Sequence, residues 1–218
     1  GSRDKKLYVI NHDGSIDSQT EVGGYIFATP VLGDLDSNGD LEIIFGGFDE
    51  ELYVLNHDGT DYGPFPISLD GKVYVGGALG DVDGDDSLDI VVGTRNGNLY
   101  VVSPSGTSLP GFPVSLDEDI RTPPSLADVD GDGRLEIFCG CDDGNLYILD
   151  DDGFLLDTVS TEDKVRGSAS FCDIDSNGDI EIFFGSNDGK LYGIDHTGSL
   201  LPGFPFTTGG AVSSPSLS

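Results

Sequence analysis

Asp34-Leu35-Asp36-Ser37-Asn38-Gly39-Asp40-Leu41-Glu42, running straight into Ile43-Ile44-Phe45-Gly46, recurs through the chain with small changes. The second copy is Asp81-Val82-Asp83-Gly84-Asp85-Asp86-Ser87-Leu88-Asp89. The third is Asp128-Val129-Asp130-Gly131-Asp132-Gly133-Arg134-Leu135-Glu136, and the fourth Asp173-Ile174-Asp175-Ser176-Asn177-Gly178-Asp179-Ile180-Glu181. The copies begin 47, 47 and 45 residues apart. A fixed period of this size marks one structural unit that buries its apolar surface against its neighbours.

Working outward from the acidic loop, each copy continues alike. An apolar run follows: Ile43 to Phe45, Ile90 to Val92, Ile137 to Cys139, Ile182 to Phe184. A glycine and a polar turn come next, such as Arg95-Asn96-Gly97-Asn98 or Asn187-Asp188-Gly189-Lys190. Asn-Gly and Asp-Gly suit tight hairpins, whose central residues need positive φ. A second apolar strand follows: Leu52 to Leu55, Leu99 to Val102, Leu146 to Leu149, Leu191 to Ile194. Three copies then carry Pro64-Phe65-Pro66, Gly111-Phe112-Pro113 or Gly203-Phe204-Pro205. The last strand before the next acidic loop is rich in small residues, as in Ala28-Thr29-Pro30-Val31-Leu32-Gly33.

That is four short strands per repeat and no amphipathic helix, with frequent Gly, Pro and β-branched residues. The expected fold is all-β, a β-propeller of four-stranded antiparallel blades, because radial repetition protects sheet edges. A long sandwich would not explain the period. Ser214-Pro215-Ser216-Leu217-Ser218 matches Thr29-Pro30-Val31-Leu32-Gly33. Gly1-Ser2-Arg3-Asp4-Lys5-Lys6-Leu7-Tyr8 matches Gly185-Ser186-Asn187-Asp188-Gly189-Lys190-Leu191-Tyr192. The expectation is therefore one domain over 1–218 with about five blades. The fifth is split between 1–24 and 209–218 and lacks its acidic loop and second strand. A piece of a longer propeller is the competing reading. An open blade edge would invite self-association.

The charge narrows the function classes. With 40 acidic and 10 basic side chains in 218 residues, the formal net charge is −30. A nucleic-acid footprint needs clustered Lys and Arg, which is absent. No run of eighteen apolar residues offers a membrane-spanning helix. Hydrophobic content of 37%, with 12 Phe and 8 Tyr, is too high for a disordered acidic tail. The opening residues contain no signal-peptide pattern, and Gly1-Ser2 fits either a tag remnant or the repeat. Cys139, Cys141 and Cys172 read as buried free thiols acting as small hydrophobes.

Of the 40 acids, 17 lie in the four loops. Carboxylates crowded at loop positions 1, 3 and 5 repel one another unless a cation sits between them. Alternating hard oxygens suit Ca²⁺, which takes six to eight. Candidate ligands are Asp34, Asp36, Asn38, Asp40 and Glu42, then Asp81, Asp83, Asp85, Ser87 and Asp89. The third and fourth sets are Asp128, Asp130, Asp132, Arg134 and Glu136, and Asp173, Asp175, Asn177, Asp179 and Glu181. Position 7 serves through its backbone carbonyl, so Arg134 requires its side chain to point away. An EF-hand needs a bidentate Glu at position 12, where these loops have Phe45, Val92, Cys139 or Phe184. The second loop carries Asp86 where the others have Gly and is expected to be the strained, weakest site.

Asp-x-Asp-x-Asn/Asp-Gly-x-x-Glu/Asp between short strands, with Phe45-Gly46 and Phe184-Gly185 after it, resembles the FG-GAP/VCBS repeat. The likeness covers nearly the whole chain and is nearer the microbial surface proteins than the heads of integrin α subunits. It implies a calcium-binding propeller, about four Ca²⁺ held from positions 1, 3, 5, 7 and 9, and a role in adhesion or recognition. Such extracellular modules bind Ca²⁺ at roughly 10⁻⁴ to 10⁻³ M, which places the parent protein outside the cell.

No catalytic constellation stands apart from the repeat. His12, His57 and His196 share one turn position. The expected function is a non-catalytic, calcium-stabilised module binding a protein or glycan. A polysaccharide-acting hydrolase or lyase, or a spacer in a larger surface protein, are the alternatives. Residues that break the repeat point to the ligand: Phe48, Arg95 and Asp142 at one position, and Lys72, Arg121, Lys164 and Arg166 near the entry to the innermost strand. Both sets are expected on the face opposite the acidic loops, ready for an anionic sugar or acidic peptide.

Overall fold

A computed structural model describes residues 1–216. Its elements are all strands; no helix occurs among the described residues. The chain opens with a two-stranded antiparallel sheet, β1 (Lys6–Ile10) and β2 (Ile16–Glu21). Four sheets of four strands follow. The first holds β3 (Val31–Gly33), β4 (Glu42–Gly46), β5 (Glu51–Leu55) and β6 (Ile67–Ser68). The second holds β7 (Ala78–Gly80), β8 (Asp89–Gly93), β9 (Asn98–Val102) and β10 (Val114–Ser115). The third is β11 (Ser125–Ala127), β12 (Glu136–Gly140), β13 (Asn145–Leu149) and β14 (Leu155–Ser160). The fourth is β15 (Ser170–Cys172), β16 (Glu181–Gly185), β17 (Lys190–Ile194) and β18 (Phe206–Thr207). Within each sheet the strands pair antiparallel in chain order.

The hydrophobic pattern explains this order. The second strands β4, β8, β12 and β16 are buried at every position, so they lie mid-sheet with both faces covered. Third-strand residues divide between two cores. Tyr53 and Leu55 pack with Leu7 of the leading sheet and with Val22 and Ile26 just after it, whereas Leu52 and Val54 pack with Ile90 and Val92 of the next. Each core thus sits between consecutive sheets, and burying one such side chain contributes roughly 1.5–3 kcal/mol.

The outer strand follows the prolines. Where Phe65-Pro66, Phe112-Pro113 or Phe204-Pro205 intervenes, in each case with a cis bond, the outer strand is two residues long. Where no proline intervenes, β2 and β14 reach six residues, because no ladder donor is lost.

A glycine latch joins successive units. Gly46 ends β4 so close to Val73 that an added Cβ would lie 2.2 Å from the valine Cβ. Gly93 meets Ile120, Gly140 meets Val165, Gly185 meets Val212 and Gly1 meets Ile26 in the same way. A backbone bond beside each latch repeats too: Ile26, Val73, Ile120, Val165 and Val212 donate to the carbonyls of Ser2, Gly47, Thr94, Cys141 and Ser186.

Residues 209–216 contain no strand, and Leu217 and Ser218 lie outside the described residues. Ser214 Oγ accepts from the Ser168 N–H at 2.9 Å and the Pro215 carbonyl from Ser170 Oγ at 2.7 Å. This segment therefore lies beside the fourth sheet, whereas β1 and β2 lie beside the first. Among the described residues no strand pairing or hydrogen bond joins the two ends.

Candidate functional site

The acidic loops link first to second strands and fold on their own carboxylates. In the first loop Asp34 accepts from the N–H groups of Asn38 (3.0 Å) and Gly39 (2.9 Å), Asp36 from Asn38, and Asn38 Oδ1 from Asp40 (2.7 Å). The second loop repeats this with Asp81, Asp83 and Asp85. The fourth does so with Asp173, Asp175 and Asn177. In the third the Gly131 N–H replaces the Asp132 N–H as the donor to Asp128 Oδ1, and the other bonds are kept.

Position 9 is the buried member: Glu42, Asp89, Glu136 and Glu181 are 1 to 4% exposed. Each accepts the N–H of loop position 2, Leu35, Val82, Val129 or Ile174, at 2.8 to 3.0 Å. Asp34, Asp36 and Glu42 bring one oxygen each within 4.8 Å of one another, as do Asp128, Asp130 and Glu136, and Asp173, Asp175 and Glu181. In the second loop the convergent group is Asp81, Asp83 and Asp85. Its Asp89 is one methylene shorter and is held by Val82. Burial, then Asp83 and Asp85, push the Asp89 carboxyl up to about 6. Burial and the neighbouring acids also raise Glu136. These four groups could hold metal ions. Arg134 turns its guanidinium out to Asp151. Asp86 takes the turn at φ +69°, where its counterparts are Gly39, Gly133 and Gly178.

The repeat-breaking residues lie at the other end of the second strands, about 14 Å away at 3.4 Å per residue. Two rows are tied across each unit by a backbone bond: Phe48, Arg95, Asp142 and Asn187 donate N–H to the carbonyls of Tyr25, Lys72, Asp119 and Lys164 at 2.9 to 3.0 Å. A third row, Phe27, Tyr74, Arg121 and Arg166, follows the latch residues directly. All six candidates, Phe48, Lys72, Arg95, Arg121, Lys164 and Arg166, belong to these rows.

The rows change character from unit to unit. The first units present aromatic rings: Phe27 lies 4.7 Å from Phe48 and 5.4 Å from Tyr74, centroid to centroid. Cations cap them, with Arg3 4.8 Å over Phe27, Lys72 5.8 Å over Phe48 and Arg121 5.0 Å over Tyr74. The later units are ionic. Asp119 takes Arg95 Nε at 2.9 Å. Asp142 takes Arg166 through two bonds (2.7 and 2.6 Å) and Lys164 at 3.2 Å. Burial alone would raise the Asp142 carboxyl; Arg166 and Lys164 outweigh it and hold the group below the usual range. Arg121 Nε lies 3.5 Å from Asp119, at ion-pair distance but out of hydrogen-bonding alignment, and is otherwise buried without a partner. A cleft of about 520 Å³ opens between Arg95, Asp119, Arg121, Asp142, Asp143 and Lys164.

Sequence reasoning missed Tyr25, Phe27, Tyr74 and Asp119. Each stands one residue before or after a latch position, a relation that shows only once the latch contacts are seen. His57 is exposed on a turn, 3.4 Å from Asp40. The cysteines are free, and Cys139 and Cys141 are buried, with burial pushing the Cys141 thiol up to about 11.

Sheets of four antiparallel strands packed face to face in series define a β-propeller-like protein. Its solved neighbours agree. The chain is similar to BamB from Moraxella catarrhalis, at TM-score 0.64 and 19% identity over 92% of this chain and 59% of that one. It is similar to Saccharomyces cerevisiae Sqt1, at 0.72 and 20% over 92% of this chain and 56% of that one. The computationally designed Ika8 protein matches at 0.70 and 16% over 100% of this chain and 61% of that one. The chain thus spans somewhat more than half the length of these propeller-like neighbours. No family model and no curated protein matches the sequence.

Proposed function

We propose that this chain is a calcium-stabilised, non-catalytic recognition module of an extracellular protein, in the manner of the FG-GAP/VCBS repeats it resembles. Calcium sits in the four acidic loops, completed by backbone carbonyls at position 7. The ligand binds at the opposite ends of the second strands, over the rows that carry Phe48, Lys72, Arg95, Arg121, Lys164 and Arg166. The supporting observation is the division of labour along each second strand. Its starting end repeats in every unit, as a structural ion site requires, and its far end differs in every unit, as a specific surface requires. Arg121, with an unaligned Nε beside an open cleft, is the donor best placed for an anionic ligand group, a uronic acid carboxylate or an acidic peptide side chain.

Ligand-dependent stability tests the calcium half, because binding to the folded state alone raises stability by mass action. Millimolar calcium is expected to raise the melting temperature above its value in excess chelator; identical melting in both would falsify the structural-metal role. Glycan-array binding with calcium, compared for the parent and Arg121→Ala, tests the ligand half. Signal on acidic glycans that the variant loses is expected, and signal indifferent to Arg121 would remove that face from consideration.

A further inference from the structure

We propose that the recess between the third and fourth sheets, at their acidic-loop end, is a docking pocket for a partner polypeptide that inserts a phenylalanine flanked by lysine or arginine. This goes beyond the recognition reading, since the pocket lies away from the variable rows and uses none of their residues.

Two junctions between sheets carry an internal filling that the third lacks. Between the first and second sheets, Phe65 joins Leu35 and Val54 in one buried cluster. Between the second and third, Phe112 joins Val82 and Val101 in the same way. The residues beside each ring close over a turn of the next sheet. Pro64 Cγ lies 2.7 Å from where a Cβ on Gly106 would be, and the Gly111 carbonyl oxygen 3.1 Å from one on Gly153. By the repeat, Val129, Ile148 and Gly198 are the counterparts of Leu35, Val54 and Gly106.

The third sheet has no aromatic-proline segment to send there. Phe154-Leu155-Leu156-Asp157-Thr158-Val159 stands in place of Thr107 to Val114. Val159 pairs with Leu146 as Val114 pairs with Leu99. The two missing residues are therefore the whole difference between the spacings of 47 and 45. What remains is a recess of about 250 Å³ whose walls include Val129, Ile148, Leu156 and Gly198. Both sheets that bound it are complete, with four strands each. Leu156 is 50% exposed, the last of three consecutive exposed apolar residues with Phe154 and Leu155. An aromatic ring inserted here removes that apolar surface from water, as Phe65 and Phe112 do at the other junctions.

The mouth of the recess selects the partner by charge. Asp157 Oδ2 lies 1.8 Å from where a Cβ on Gly198 would be, taking the place that Pro64 holds over Gly106. Asp130 and Glu136 complete the polar lining. A divalent ion in the third loop would still leave its four carboxylates in excess. A cation beside the inserted ring therefore meets Asp157, and an acidic neighbour is repelled. A second copy is a poor source of the ring: each chain carries a net charge of −30, and Gly203-Phe204-Pro205 has no basic neighbour.

The probe is the acetylated and amidated peptide Lys-Gly-Phe-Pro-Lys, titrated into the 218-residue chain in millimolar calcium and followed by amide NMR shifts. Saturable shifts are expected around Val129, Ile148 and Gly198. Alanine in place of the probe's phenylalanine keeps its charge and is expected to weaken binding roughly ten-fold or more. Asp157→Asn in the chain is expected to weaken it about two- to five-fold. Rebuilding the internal filling, with Thr107 to Val114 grafted in place of Phe154 to Val159, is expected to abolish binding. Leu156→Ser, at a position exposed enough to keep the fold, is expected to weaken binding and serves should the grafted chain not fold. Absence of saturable binding would overturn the proposal, as would equal binding of the alanine peptide or equal binding by Leu156→Ser. Benzylamine binding as tightly as the peptide would overturn it in favour of a small-molecule pocket.

Discussion

Asp142 shows how one side chain organises the ionic half of the variable face. Its carboxylate, 8% exposed, is shared by Arg166 and Lys164, and Asp142→Asn leaves both cations without their anion. With those cations one-third or more exposed, the expected loss is about 1–2 kcal/mol, below the value for a fully buried pair. Because the folded-state carboxyl lies below its ordinary value of 3.8, this stabilisation is fully present above that pH and disappears as pH falls through the lower folded value. Urea unfolding of parent and variant should therefore differ at pH 7 and converge in strong acid. At Asp86 the expected change has the opposite sign. An L-residue at φ +69° is strained by about 1 kcal/mol where glycine is not. Asp86→Gly is expected to raise the melting temperature by about 2–4 °C, and a lowered value would show that the Asp86 side chain contributes something the turn geometry does not.

Among the elements, the second strand carries most of the information and was the most legible. Ile43–Phe45, Ile90–Val92, Ile137–Cys139 and Ile182–Phe184 read as strands because they are short, apolar and bracketed by an acidic loop and a glycine, and each lies in a strand buried throughout. The inner strands were harder. Ala28 to Gly33 was read as one strand, yet only Val31–Gly33 pairs, since Pro30 lacks a donor. The latch was invisible, because a glycine closing an apolar run looks like an ordinary turn residue until the partner at Val73 or Ile120, 27 residues on, is seen against it. Gly93→Ala should drive a methyl into Ile120, which is fully buried. Overpacking of this kind costs about 1–3 kcal/mol, measurable by denaturant unfolding. A neutral effect would mean that the two units can slide apart without penalty.

For the molecule as a whole, the net charge of −30 is unevenly placed, with 17 acids in four short loops. Four divalent ions would add eight positive charges and take −30 to −22. In excess chelator two loops each keep one buried acid whose protonation relieves part of that repulsion. Asp89, raised to about 6, and Glu136, also raised, favour the protonated folded state. Their contribution to stability is therefore gained as pH falls through the folded pKa and is complete below the unfolded one. Chelated protein is expected to melt higher at pH 5 than at pH 7, and calcium-loaded protein to lose that difference. A parallel pH response with and without calcium would separate the loops from the metal. The acidic loops were legible in the sequence because they recur. The aromatic-to-ionic surface was legible only in part, since its rows are assembled across units and no single stretch displays them.

The latch also bears on how such a chain can grow. Every unit offers the next the same glycine and receives the same branched or aliphatic side chain, so a duplicated unit inserted between two others finds a fitting neighbour on each side. Length can change in steps of one repeat while the packing already present stays intact. The variable rows then diversify residue by residue on a scaffold whose joints never need to be reinvented.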